Sequence, residues 1–184
     1  MKCGVLALQG CINPHLRLLS AIGVNAIKVR DINELKQCDR LIIPGGESTT
    51  MLTLLKKVSL FEALREFCLT KPVWGICAGA ILLAKEVRNP SQESLAVMNI
   101  AATRNYYGCQ LDSFKALVTL KEPELQTKVS FIRAPALKPL SAEVRTLASH
   151  NGLGVHYREG NLMASAFHIE LGDETALHRY FMSI

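Results

Sequence analysis

Read from its amino terminus, the chain alternates short apolar runs with longer segments in which apolar residues recur every three or four positions. Cys3 to Leu8 predicts a buried strand closing on Gln9-Gly10, and Leu16, Leu19 and Ile22 then share one side of a helix over His15 to Ile22 that stops at Gly23. Ala26 to Val29 and Arg40 to Ile43 predict two more strands, the second running into Pro44-Gly45-Gly46-Glu47-Ser48-Thr49-Thr50. Ser48 or Thr49 is expected to cap a helix through Met51, Leu52 and Leu55, and Phe61 to Cys68 has the spacing of another amphipathic helix. Pro72 to Ile76 is a short apolar segment that delivers Cys77, and the small and apolar residues up to Ala84 continue as a helix. The polar stretch Val87 to Ser94 reads as a loop.

Beyond that loop the period changes. Phe114 to Leu120, Val129 to Ile132, Val144 to Ala148, Gly154 to Tyr157 and Leu162 to Phe167 are β-rich runs separated by turn residues. A closing helix from Asp173 to Phe181 is expected to carry acidic residues in its first turn. Strand-helix alternation followed by strand after strand predicts an α/β fold, a three-layer sandwich with a mostly parallel central sheet, antiparallel additions in the second half and helices on both faces.

Composition narrows this picture without changing it. A chain of 184 residues that is 49% apolar suffices for one substantial core, so a single domain over residues 1–184 is expected. The net charge of +5 comes from scattered lysines and arginines with only Lys56-Lys57 adjacent, which argues against a nucleic-acid partner. Cys3, Cys11, Cys38, Cys68, Cys77 and Cys109 lie far apart with no C-x-x-C pair and no secretory leader. Neither a metal site nor a disulfide framework is expected from them, and reduced thiols in a cytoplasmic protein follow. The longest apolar run, Val73 to Ala84, falls short of the ~20 residues a membrane helix needs, so no membrane partner is expected.

Three constellations carry candidate chemistry. In Gly75-Ile76-Cys77-Ala78-Gly79 a strand delivers a cysteine into a helix start, flanked two residues away on each side by glycine, as a strained nucleophile elbow requires. A thiol there faces the unpaired N–H groups of the helix start. Gly45-Gly46 follows a predicted parallel strand, where ligands of open α/β sheets bind, and Gly46 permits a peptide orientation that offers its N–H to a reacting carbonyl. In Phe167-His168-Ile169-Glu170, residues i and i+2 of extended chain point the same way, so Glu170 can orient His168 toward a nucleophile. Each motif alone is weak; a G-x-C-x-G is as readily a buried structural cysteine. Together they supply nucleophile, base and orienter.

In this order the three constellations resemble the triad-type (class I) glutamine amidotransferases. Leu8-Gln9-Gly10, Pro44 to Thr49, Arg104-Asn105 with Gly108, Gln110 and Ser113-Phe114, and Phe131-Ile132-Arg133-Ala134-Pro135 narrow the resemblance to the glutaminase subunits of pyridoxal 5'-phosphate synthase, from first strand to last helix. The resemblance implies hydrolysis of L-glutamine by Cys77, His168 and Glu170 through a γ-glutamyl thioester, without a cofactor. Backbone N–H groups of Gly46 and Ala78 would form the oxyanion hole, and Gly46, Glu47, Ser48, Arg104, Ile132 and Arg133 would line the substrate site. Glu47 suits the ammonium group of glutamine and an arginine its carboxylate; the sequence leaves open which arginine. The implied partner is a separate synthase subunit that takes the ammonia to build vitamin B6, with Gln9 and Gly10 near the interface.

Two positions depart from the pattern. Ile169 stands where a proline normally separates the catalytic histidine and glutamate, which restores an N–H, frees φ and is expected to loosen the geometry. The loop after Gln9-Gly10 reads Cys11-Ile12-Asn13-Pro14-His15, without the usual acidic residue before the histidine. The alternatives are a glutaminase subunit of another pathway, which would lack the Arg104 and Arg133 motifs, and a cysteine hydrolase or stress protein of similar fold, which would not need His168 and Glu170 together. A non-catalytic regulator is the third.

Overall fold

The computed structural model describes residues 1–106 and 113–184; Gly108, Cys109 and Gln110 lie outside the described residues. The strands of the first half are β1 (Lys2–Leu6), β2 (Asn25–Val29), β3 (Arg40–Ile43) and β4 (Val73–Ile76). Between them run α1 (Ile12–Ala21), α2 (Ile32–Lys36), α3 (Ser48–Lys57) and α4 (Phe61–Thr70), and α5 (Ala78–Leu83) follows β4. The short helix α2 has no counterpart in the apolar pattern. It is held by its cap: the Asp31 carboxylate accepts from the N–H groups of Asn33 and Glu34.

The second half comprises β5 (Ala84–Arg88), β6 (Met98–Thr103), β7 (Phe114–Lys121), β8 (Glu124–Phe131), β9 (Ala136–Pro139), β10 (Arg145–His150), β11 (Leu153–Glu159), β12 (Leu162–Ser165) and α6 (Ala176–Ser183). One nine-stranded sheet runs β2-β1-β3-β4-β12-β11-β10-β7-β8. It is parallel from β2 across to β12 and antiparallel from β12 outward, so the expected division into a parallel part and antiparallel additions holds.

Four expectations need correction. Ala84 is not the end of the helix after Cys77 but the start of β5, which takes the first residues of the stretch read as a loop. With β6 and β9, β5 forms a second, three-stranded sheet that the sequence did not announce. Its strands are short and β9 ends on a proline, so neither length nor alternation marks them. The cap of α3 is Glu47, whose carboxylate accepts from the Thr50 N–H, rather than Ser48 or Thr49. The last helix starts at Ala176 and has no acidic residue in its first turn; Glu174 precedes it and accepts the N–H of Ala176.

β4 shows why helices cover both faces of the large sheet. Successive side chains of a strand point to opposite sides. Trp74 meets His15 of α1 and both His178 and Phe181 of α6, whereas the backbone at Gly75 packs against Gly79 and Ala80 of α5. Ser165 on the neighbouring β12 accepts the indole N–H of Trp74 at 2.9 Å and meets Nδ1 of His156 at 2.8 Å, which ties β4, β12 and β11 together inside the core. Cys77 follows one of these strands directly, and His168 stands three residues beyond another. Among the described residues no helix is long and apolar enough to cross a membrane.

Candidate active site

Cys77 joins β4 to α5 at φ 50° and ψ −100°, a conformation rare for a residue with a side chain and therefore strained. Its N–H donates to the Ser165 carbonyl at 2.8 Å and its carbonyl accepts from Ile81 at 3.1 Å, so the strain is fixed from both sides. The flanking glycines are required by contact. A Cβ on Gly75 would lie 2.6 Å from the Gly79 carbonyl, and one on Gly79 would lie 2.1 Å from the carbonyl oxygen of Ile43. Sγ is directed at the Ile132 carbonyl, 3.8 Å away, at the edge of a cavity of about 420 Å³.

His168 and Glu170 arrive by a different route. β12 ends at Ser165, earlier than the run to Phe167 predicts, and His168 is instead pinned to β8 by a two-bond bridge: its N–H donates to the Ser130 carbonyl at 2.7 Å and its carbonyl accepts from Ser130 at 3.1 Å. The i, i+2 relation holds, with Nδ1 of His168 2.6 Å from Oε1 of Glu170. Ile169 stands between them. Its side chain is buried and its carbonyl accepts the N–H of Gly172 at 3.0 Å.

The imidazole lies close against backbone: a Cβ on Gly45 would come within 2.2 Å of Cε1 of His168. Burial acts to lower the pKa of His168, but the neighbouring Cys11, Cys77 and Glu170 side chains override it and the pKa is raised. Burial acts to raise that of Glu170, and the partnership with His168 carries it below the usual carboxylate value. Both directions favour the imidazolium-carboxylate form of the pair, the form His168 adopts once it holds the proton of Cys77.

The cavity collects the other candidates. Gln9, Gly10, Gly46, Glu47, Ser48, Ala78, Arg104, Ile132 and Arg133 all line it beside Cys77 and His168. Glu47 Oε1 accepts from Arg104 at 3.0 Å, while its other oxygen accepts from the Thr49 hydroxyl, the Thr50 N–H and the Thr50 hydroxyl. Burial works to raise the Glu47 pKa, and these hydrogen bonds bring it instead down to about 2. Ser48 donates its hydroxyl to Gln92 at 2.9 Å. Asn105 and Arg133, both on the cavity wall, stand at φ 51° and 45°, a pair of strained positions that no sequence pattern signalled. The Gly45 carbonyl accepts the Cys11 N–H at 2.9 Å and the Gln9 side chain accepts the Glu47 N–H at 2.8 Å, so the Gln9-Gly10 loop is bonded directly to the Gly45-Gly46 turn.

The profile of the SNO glutamine amidotransferase family matches residues 5–184. The chain belongs to the SNO glutamine amidotransferase family. Within it, the chain is 42% identical over 185 residues to the pyridoxal 5'-phosphate synthase subunit PdxT of Brevibacillus brevis, covering 100% of this chain and 97% of that protein. To the subunit of the same name from Methanocorpusculum labreanum it is 44% identical over 186 residues, covering 100% and 97%. A crystal structure of a glutamine amidotransferase superposes with a TM-score of 0.92 at 38% identity, covering 98% of this chain and 97% of the other.

Against the family background, Cys11 is the residue whose place sequence reasoning missed. The sequence puts it in an altered partner loop, yet its half-buried thiol lines the cavity beside His168. Donor atoms of Cys11, His168 and Glu170 fall within 4.8 Å of one another, the spacing of a metal ligand set, but His168 and Glu170 are already spent on each other. Cys3, Cys38 and Cys68 are free thiols, and burial pushes them up to about 12, about 11 and about 12, which makes them poor nucleophiles.

Proposed function

We propose that the chain is the glutaminase subunit of a pyridoxal 5'-phosphate synthase, acting as a single amidotransferase domain through Cys77, His168 and Glu170 and handing ammonia to a separate synthase subunit. The observation that carries this reading is the convergence of a strained cysteine, a carboxylate-bound imidazole and a Glu47-Arg104 pair on one cavity. Glutamine enters with its α-ammonium toward Glu47. Arg104 is engaged with Glu47, which leaves the α-carboxylate to Arg133 at the exposed rim.

His168 takes the proton of Cys77, and the thiolate adds to the side-chain amide carbon. The oxyanion that forms is held by the N–H groups of Gly46 and Ala78. His168 returns the proton to the amide nitrogen, the C–N bond breaks and ammonia leaves a γ-glutamyl thioester. Water, deprotonated by His168, then cleaves the thioester to glutamate. Glu170 keeps the imidazole aimed and compensates its charge throughout.

The bonded contact between the Gln9-Gly10 loop and Gly45-Gly46 supports control by the partner. A synthase subunit pressing on this loop would bias the orientation of the Gly45-Gly46 peptide and with it the completeness of the oxyanion hole. The test is ammonia release from glutamine by the chain alone and with a pyridoxal 5'-phosphate synthase synthase subunit, for the unmodified chain and Cys77→Ala. Release that rises with the partner by roughly 10²-fold and is abolished in Cys77→Ala is expected, since one oxyanion donor is worth about that much. Residual turnover in Cys77→Ala would remove the assignment.

A further inference from the structure

Below the triad, on the face of the sheet covered by α1 and α6, lies a second cluster of titratable groups that the mechanism above does not use. His15 and His178 are both fully buried, with Nδ1 of His15 3.0 Å from Nε2 of His178. Nε2 of His15 lies 3.8 Å from Oε1 of Glu170, so the same carboxylate oxygen that holds His168 is approached by a second imidazole. Trp74 closes the cluster edge-on, its ring 6.1 Å from that of His15 and 5.1 Å from that of His178.

Burial depresses both rings, His15 to about 4 against the pull of Glu170 and His178 to about 3, so both are neutral at physiological pH. Two neutral imidazoles in one hydrogen bond place a single proton between them. A carboxylate accepts and does not donate, so it fixes the direction. His15 carries its proton on Nε2, aimed at Glu170. Its Nδ1 therefore accepts, and Nε2 of His178 donates. No other assignment offers an N–H to the buried anion.

The need for that N–H follows from the position of Glu170. The side chain is wholly out of water, and Oε2 has no hydrogen-bond partner among the described residues. Burial by itself drives such a carboxylate to take up a proton, against the pull of His168, and a neutral acid no longer stabilises an imidazolium. An oriented N–H dipole beside Oε1 opposes that outcome. At 3.8 Å it acts as a dipole across a short gap rather than as a direct hydrogen bond.

We propose that His15 is a positioning residue for glutamine hydrolysis: it keeps Glu170 ionised and aimed at His168, and His178 fixes the tautomer in which it does so. The inference rests on the triad assigned above. His15 touches neither substrate nor reacting atoms. Its effect must therefore pass through Glu170, which makes it separable from simple packing.

The experiment measures kcat and KM for glutamine, with the synthase subunit present, and the rate at which a glutamine-mimicking electrophile labels Cys77. His15→Leu is expected to lower kcat and labelling by about tenfold, the worth of one well-placed polar interaction, with KM within about twofold. His15→Gln, which returns an N–H near the position of Nε2, recovers most of the loss. In a Glu170→Ala background His15→Leu costs nothing further. Unchanged kcat in His15→Leu, no recovery in His15→Gln, or an equal fractional loss with and without Glu170 would overturn the proposal. Should His15→Leu fail to fold, His178→Leu carries the same test, with a smaller loss confined to chains that retain Glu170 in support and an additive loss or none against. If the unmodified chain leaves glutamine intact, or Cys77→Ala hydrolyses it, the triad itself fails, and that result is distinct from any outcome for His15.

Discussion

Cys77 and His168 reach the same cavity by different routes. Cys77 is placed by backbone alone: Gly75, Gly79 and the Ile43 carbonyl approach so closely that no Cβ fits, and the N–H and carbonyl of the cysteine are both bonded within the fold. His168 is placed by partners drawn from across the chain. Ser130 pins its backbone, Gly45 supports its ring, Glu170 orients it and Cys11 stands beside it. The first arrangement is steric and tolerates no added atom. The second is electrostatic, spread over several weak partners, and is tuned rather than broken by single changes.

That contrast is tested most severely at Gly79. Gly79→Val forces atoms into the Ile43 carbonyl, and the chain is expected to lose ~4 kcal/mol or more of stability, read as a collapse of the thermal midpoint. At Gly152, which stands at φ +77° with no atom within 4 Å of where a Cβ would stand, an alanine meets only backbone strain and should cost about 1 kcal/mol. Similar losses at the two positions would mean that the elbow is not held by close packing.

The polar side of the cavity should respond in binding rather than in folding. Arg104→Ala removes the partner of Glu47 and is expected to raise KM for glutamine by roughly tenfold or more with a smaller change in kcat, as steady-state kinetics will show. Acid titration checks Glu47 by a second route, through its bonds to Thr49 and Thr50. The pKa of Glu47 is lowered from 4.5 to about 2, so the stability it contributes is present above pH 4.5 and is lost as the pH falls toward 2. In Glu47→Gln the acid limb of the unfolding curve within that window should flatten; an identical limb would show that the hydrogen bonds to Glu47 are made equally in the unfolded chain.

Cys11 offers the finest distinction. As one of several partners of His168, it should be dispensable: Cys11→Ala is expected to change kcat by only about twofold to threefold, because a thiol is a weak hydrogen-bonding group. A loss approaching that of Cys77→Ala, measured as ammonia release, would make the loop after Gln9-Gly10 part of the chemistry and erase the division between the two routes.

Much of the site was legible because its demands are local. The elbow needs small residues at fixed offsets around Cys77, and the i, i+2 geometry of extended chain brings Glu170 to His168 whatever the surrounding fold. The same local logic marked β3, β4 and the helices α3 and α4. It failed where the signal is not a period. α2 depends on one capping aspartate, β5, β6 and β9 are too short and too mixed to alternate, and the strain at Asn105 and Arg133 leaves no mark in residue type.

The sequence by itself determined that a cysteine, a histidine and a carboxylate would be presented on a partly parallel sheet, since apolar periodicity and glycine spacing are properties of neighbouring residues. Only the tertiary structure decided what surrounds them. It set Cys11 at His168, turned Glu47 toward Arg104 and brought His15 and His178, far apart in the chain, into contact beneath Glu170. These pairings depend on how helices dock across both faces of the sheet. Docking is fixed by the summed burial of many apolar side chains, and it places polar groups as a consequence that no local pattern records.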